Sequence, residues 1–293
     1  MVRPSKFIFN SETSSSNLFQ NSLSLSEGEI SARALKEFNS FKNLLDENGV
    51  KVFCLEDDRP GLTPDSIFPN NWISFHEDAS IVIYPMMAKN RRLEKRADWI
   101  HLLSKQFEKS KILDLSFFEE RSEYLEGTGS LILDRERRIA YAAWSARTCA
   151  SPLEYFCKKL GYQSIEFHAT DETGVPIYHT NVLMALGEAE AIVCLESIRD
   201  PNERERLATS LKKSSREIID ISFAQMRSFS GNLLQLQNSN HEKLWVGSIS
   251  AMDALSRSQR EVLSKSSKLL SSDLSTIEGI GGGSARCMLC EIF

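Results

Sequence analysis

The chain has 293 residues, enough to bury a large core, and its 35 Lys and Arg against 40 Asp and Glu leave a net charge of −5. That balance excludes a broad basic surface for a nucleic-acid backbone or an anionic membrane, and no apolar stretch nears the roughly 20 residues of a membrane helix. A small-molecule partner in the cytoplasm fits better: residues 1–20 are too polar for a secretory signal, and the 6 scattered cysteines suit reduced thiols rather than a disulfide framework.

Residues 6–9 read as a first strand and 10–24 as a polar loop. Ser26 with Glu29 makes a capping-box pattern ahead of Ile30, Ala34, Leu35, Phe38, Phe41 and Leu45, and Gly49 closes it, which predicts an amphipathic helix. Residues 52–55 follow as a strand, 61–71 as a Pro-containing loop, 72–75 and 81–84 as two strands, 93–107 as a helix and 112–115 as a strand. This strand, strand, helix, strand order returns at 131–133, 139–144, a helix opened by Ser151 and Pro152 and stopped by Gly161, and 165–167. It returns again at 182–186, 192–195, a charged helix after Pro201 and 218–221, and once more at 233–236, 244–249 and a helix over 256–270.

A set of polar residues keeps step with this rhythm. Asn71, Glu126, His179, Asn232 and Cys287 are separated by 55, 53, 53 and 55 residues, and an apolar run follows each. Five ββαβ units are implied, packed around an axis with helices outside and with these residues at strand starts facing the centre. The fifth unit, beginning with a strand after Cys287, is completed by the N-terminal strand and helix, so the termini lie close together. No linker interrupts the pattern, which predicts one α/β domain over residues 1–293.

Those five positions supply a thiol, an imidazole, a carboxylate and two amides. A cysteine attacks as thiolate, so Cys287 is the candidate nucleophile; the unperturbed pKa of an imidazole, near 6.5, suits His179 to general acid and base work; Glu126 can hold the imidazole or bind a substrate nitrogen. The three form a catalytic Cys, His, Glu set. The glycines Gly281, Gly282 and Gly283 feed no helix, as a phosphate loop would. Cys287 and Cys290 form a C-x-x-C, but no second ligand pair accompanies it, and Gly127 with Gly129 falls short of a dinucleotide fingerprint. Neither a metal nor a cofactor is expected.

Three segments carry a family resemblance. Gly282, Gly283, Ser284, Ala285, Arg286, Cys287, Met288 is similar to a deiminase nucleophile segment; Pro64, Asp65, Ser66, Ile67, Phe68 resembles the substrate loop of dimethylarginine hydrolases; Ser145, Ala146, Arg147, Thr148 resembles a carboxylate-binding Arg segment. Over nearly its whole length the chain resembles the guanidino-group-modifying, or pentein, superfamily of arginine deiminases, dimethylarginine dimethylaminohydrolases and amidinotransferases. Its opening Met1, Val2, Arg3, Pro4, with Phe7, Asn10, Thr13, Asn17, Phe19 and Gln20, resembles the citrulline-utilisation hydrolase branch most. The resemblance implies a five-bladed α/β propeller, Cys287 as nucleophile, His179 as general acid and base, Glu126 as its partner, Asp65 on the substrate α-amino group and Arg147 on its α-carboxylate.

The chain departs from that pattern where deiminases and dimethylarginine hydrolases close the substrate loop with an acid, here Asn71, and where deiminases carry His-x-Asp, here His179, Thr180, Asn181. A buried guanidinium needs compensating carboxylates, whereas a neutral ureido group offers a carbonyl and N–H donors that two amides match. The expectation is therefore a cysteine hydrolase cutting the ureido C–N bond of citrulline, through an S-carbamoyl intermediate, to ornithine, carbon dioxide and ammonia. Hydrolysis of a guanidino substrate such as arginine or dimethylarginine, amidinotransfer, and a non-catalytic amino-acid binder remain as alternatives. The sequence leaves open a homo-oligomer, the role of Cys290 and Asn232, and closure of the 10–24 loop over the pocket.

Overall fold

In the computed structural model, which describes residues 1–21 and 24–293, the N-terminal strand β1 (Val2–Arg3) pairs in parallel with β2 (Leu55–Glu56). Between them lie a short helix α1 (Ser11–Ser14) and the long helix α2 (Glu27–Glu47). Ser26 and Glu29 form the reciprocal capping box that the sequence announces. Ile30, Ala34, Phe38, Phe41 and Leu45 lie on the buried face of α2, each contributing on the order of 1–3 kcal/mol by burial.

Four three-stranded units follow. The first is β3 (Ile73–Phe75), β4 (Ser80–Ile83), α3 (Lys89–Arg92), α4 (Ala97–Gln106) and β5 (Lys111–Asp114). The second is α5 (Gly127–Ser130), β6 (Leu131–Asp134), β7 (Ile139–Ala143), α6 (Ala150–Leu160) and β8 (Gln163–Phe167). The third is α7 (Thr180–Leu183), β9 (Met184–Leu186), β10 (Glu190–Val193), α8 (Pro201–Lys213) and β11 (Glu217–Asp220). The fourth is α9 (Phe223–Arg227), β12 (Leu234–Gln237), β13 (Lys243–Ser248), α10 (Ile249–Ala254), α11 (Arg257–Ser266) and β14 (Lys268–Ser272), after which α12 (Ser275–Gly281) leads to the C-terminal segment.

In every unit the first two strands pair antiparallel as a hairpin, and the third returns through the helix to pair parallel with the middle strand. The first strands of neighbouring units meet, β6 with β9 and β9 with β12, so the hairpins stand around an axis with helices outside. This is the five-bladed α/β propeller. The C-terminal segment closes the ring against the N-terminal unit: Cys290 Sγ donates to the Ile73 carbonyl, and Leu289 shares a core with Phe7 and α2.

Several boundaries differ from the sequence reading. Residues 6–9 are not a strand; Pro4, with no N–H, stops the β1 ladder after Arg3. No strand follows Cys287, because the N–H groups of Cys287, Met288 and Leu289 bond back to residues 284, 285 and 286 as tight turns. The helix expected over 256–270 ends at Ser266, since residues from Lys268 pair with β13. The one expected over 93–107 begins at Ala97. The 10–24 loop is described for residues 10–21 and 24, where it includes α1; residues 22–23 lie outside the described set.

His76, buried beneath the first unit, shares its Nε2 with Ser74 Oγ at 2.9 Å and faces Arg135 at 3.4 Å from Nδ1. Burial, reinforced by the positive charge of Arg135, lowers its pKa to about 3. Unfolding restores the ordinary value, so the unfolded chain binds the extra proton and stability falls as pH drops below about 6.5. From pH 7 to 5 this one residue should remove about 2 kcal/mol. His76→Gln should show a correspondingly smaller loss between urea unfolding midpoints at the two pH values; an equal loss would mean that His76 is not the group responsible.

Candidate active site

The in-phase polar residues sit on short turns just ahead of the first strands rather than on the strands. Glu126 and His179 occupy the N-cap positions of α5 and α7, Asn71 ends a 3-10 turn (Pro69–Asn71), Asn232 follows α9, and Cys287 lies in the final turn. These turns touch. Gly127 has φ +49°, and a Cβ there would lie 2.3 Å from the Asn70 carbonyl, so the α5 turn tolerates no side chain against the 69–71 loop. A Cβ on Gly129 would meet Asn71 Nδ2 at 2.5 Å and His179 Nδ1 at 2.7 Å, which brings amide and imidazole to one point above that glycine.

Glu126 Oε2 bonds His179 Nε2 at 2.9 Å and lies 3.4 Å from Arg147 Nη1, while Oε1 accepts from the Met87 N–H at 3.0 Å. Glu126 is fully buried, which by itself would raise its pKa, but the Arg147 guanidinium and the His179 hydrogen bond outweigh this and hold it well below the carboxylate range. Burial lowers the pKa of His179 to about 4 despite Glu126, so the ring is neutral at pH 7. An ionised Glu126 can only accept, so Nε2 carries the proton and Nδ1, facing the Gly129 point, carries the lone pair.

Cys287 Sγ is 3.4 Å from Asn181 Nδ2 and 3.4 Å from Asn232 Nδ2. Asn232 also donates to the Asn181 carbonyl at 2.8 Å and accepts the Arg286 N–H at 3.1 Å, which locks the Cys287 turn to α7. Cys287 makes no hydrogen bond to His179; the two are joined through Asn181, two residues beyond His179 on the same turn. Asp65 accepts from Asn10 at 2.7 Å and lies 3.9 Å from Arg91, and burial raises its pKa against the pull of Arg91. Four buried polar atoms here lack partners, Asp65 Oδ1, Asn70 Nδ2, Arg147 Nε and Asn181 Oδ1, in a pattern that leaves acceptors and donors free for a bound molecule.

The segment 10–21 crosses the site as a strap. Arg147 Nη2 donates to the Thr13 carbonyl at 3.2 Å and to Ser16 Oγ at 2.7 Å, Asn17 donates to the Gly281 carbonyl at 3.2 Å, and Phe19 packs on Tyr178 and Phe229. Arg147 therefore stands between strap and Glu126. Arg91, Glu94 and Asn70 escaped the sequence reading: Arg91 and Glu94 sit in a charged run that resembles a solvated helix face, and only the fold shows both to be buried. Among the described residues, no group of three or more His, Cys, Asp or Glu side chains is placed to hold a metal ion, and no helix is long and apolar enough to cross a membrane.

The sequence profile of the family described as N,N dimethylarginine dimethylhydrolase, eukaryotic, matches residues 3–293. The chain belongs to this family. It thereby falls in the pentein superfamily of guanidino-modifying enzymes, as the propeller does. The fold is shared with ArgZ, an arginine dihydrolase from the ornithine-ammonia cycle in Cyanobacteria, at TM-score 0.76 and 17% identity over 100% of this chain and 40% of that one. The chain thus spans less than half of full-length ArgZ, though it covers 97% of the isolated N-terminal domain, solved as a cysteine-to-serine variant bound to substrate (TM-score 0.75, 17% identity, 100% of this chain). A dimethylarginine dimethylaminohydrolase variant in an adduct with S-methyl-L-thiocitrulline superposes at TM-score 0.66 and 16% identity, covering 98% of this chain and 96% of that one. No curated protein sequence matches the chain.

Cys287 is 3% exposed, and the strap is tied to the carbonyls of residues 280–282 just ahead of it, so opening of the strap is expected to speed alkylation. Asn17→Ala removes two bonds to the 281–282 carbonyls, and iodoacetamide labelling of Cys287, followed by peptide mass spectrometry, should quicken by about tenfold. An unchanged rate would mean that the strap does not gate the thiol.

Proposed function

We propose that the protein is a cysteine hydrolase of citrulline, with the roles set by the hydrogen-bond directions in the site. The observation that carries the reading is the polarised pair: ionised Glu126 fixes the Nε2–H tautomer, so Nδ1 of His179, beside Gly129, is free to act as a base, and Asn181 on the same turn holds the Cys287 sulfur. The His179 base takes the Cys287 proton, and the sulfur attacks the ureido carbon. The oxyanion finds amide donors at Asn71, Asn181 and Asn232. His179 then returns its proton to the ornithine nitrogen as the C–N bond breaks. Water, activated by the same ring, cleaves the S-carbamoyl enzyme to carbamate, which decays to carbon dioxide and ammonia.

Most of the charge around the site is already paired. Around the site Asp65, Glu94 and Glu126 face Arg91 and Arg147, and Glu94 is raised to about 7 by burial opposed by Arg91. The carboxylates are thus largely committed to resident cations. The negative charge left at Asp65 suits the substrate α-ammonium, and Arg147, with its Nε free, suits the α-carboxylate.

A second reading, hydrolysis of a guanidino group, draws support from the family itself and from arginine as the substrate named for ArgZ. Glu126 and Asp65 are the carboxylates that would receive the cation. Incubation with citrulline, arginine, dimethylarginine and agmatine separately, with ornithine, citrulline and ammonia quantified, decides between them. Ornithine from citrulline is expected, and Cys287→Ser should abolish it while keeping the circular-dichroism spectrum and thermal midpoint. Product from arginine or dimethylarginine alone would move the assignment to the guanidino reading, and turnover by Cys287→Ser would remove the thiol from the mechanism.

A further inference from the structure

Arg91 lies beneath the substrate loop, 2% exposed, with every side of its guanidinium engaged. Nε and Nη2 hold Glu94 at 3.0 and 2.9 Å, Nη2 also reaches the Phe68 carbonyl at 3.0 Å, and Nη1 donates to Asn71 Oδ1 at 2.6 Å. A guanidinium has no acceptor, so the end of the Asn71 amide that faces it must be the oxygen. The other end follows: Nδ2 donates one hydrogen to Asn70 Oδ1 at 3.0 Å and stands over Gly129, where His179 Nδ1 also lies. Asn70 is thereby turned as well, with its Nδ2 left unpartnered.

We infer that Arg91 sets the hydrogen-bond polarity of the reaction centre, making the 69–71 loop a donor-only wall that accepts a ureido carbonyl and its oxyanion and turns away a guanidinium. The inference deepens the citrulline reading and rests on it for the identity of the reacting group. An asparagine alone does not decide between the two substrates, because a free amide rotates to offer either end. Fixing it with a buried charge removes that choice. A guanidinium has N–H groups on all sides, so it meets the free Asn71 N–H donor to donor and leaves that buried donor unpaired. Arg91 touches no reacting atom and acts through Asn71, which makes it a positioning residue.

The measurement is the ratio of kcat/KM for citrulline to that for arginine, in the wild type, Asn71→Asp and the double variant Arg91→Met with Glu94→Leu, which removes both members of the buried pair together. Asn71→Asp keeps the contact to Arg91 but shows the centre an acceptor, and should invert the preference. The double variant frees the Asn71 amide to rotate and should cut the ratio at least tenfold with the thermal midpoint retained, a change that loss of packing alone would not make selectively. If the double variant does not fold, Asn71→Asp decides. A ratio unchanged within twofold in the folded variants overturns the inference. Should the wild type turn over neither compound, the citrulline reading fails separately, and the same ratio is then taken from calorimetric binding to Cys287→Ser with and without Asn71→Asp; equal ratios, or no binding of either compound, overturn the polarity assignment too.

Discussion

A carboxylate with no solvent at all, Glu126, is the constraint from which the centre of this molecule follows. An ion so placed costs several kcal/mol unless it is paired and hydrogen-bonded, so the structure must bring partners to it. It draws them from three places: the Met87 N–H from the first unit, Arg147 from the second and the His179 Nε2–H from the third. One side chain therefore staples three blades at the axis and, in the same act, fixes which nitrogen of the imidazole is free. Stability and tautomer have a single cause.

The repeat carried far into the structure because it reports a physical necessity. Each blade needs a middle strand buried on both faces, and β4 and β10 are buried throughout and read as apolar runs after their first residues, Ser80 and Glu190. The phase of Asn71, Glu126, His179, Asn232 and Cys287 survives as five turns around one axis, although the turns precede the strands. What was not legible has two physical sources. The helix over 256–270 runs into β14 in the sequence because Leu263, Leu269 and Leu270 keep an apolar rhythm through Ser267; pairing with β13, a tertiary contact, sets the true boundary. Arg91 and Glu94 were invisible because a salt bridge and a solvated charge run have the same spelling, and burial alone separates them.

The strap shows how an irregular segment acquires a defined place. Residues 10–21 have little apolar content, yet Asn10 reaches Asp65 and Asn90, Thr13 and Ser16 receive Arg147, and Asn17 and Gln20 reach carbonyls ahead of the Cys287 turn. A polar loop is held here by polar partners that the blades cannot satisfy among themselves. Arg147 is the hinge of this arrangement, since one nitrogen faces the Glu126 carboxylate and another the strap. A ligand carboxylate arriving at Arg147 would compete with Thr13 and Ser16 for the same donor group, so substrate binding and strap contact are coupled through one guanidinium.

The two buried arginines divide the work. Arg147 compensates Glu126 and has an unpartnered Nε, so its free capacity points toward a ligand. Arg91 has directed most of its donors to Glu94, to loop carbonyls and to Asn71. Its influence passes through the amide it orients. In a site this dry, an electrostatic choice made by a residue that never meets the substrate reaches the reacting atoms because hydrogen-bond direction, unlike charge, cannot be screened away.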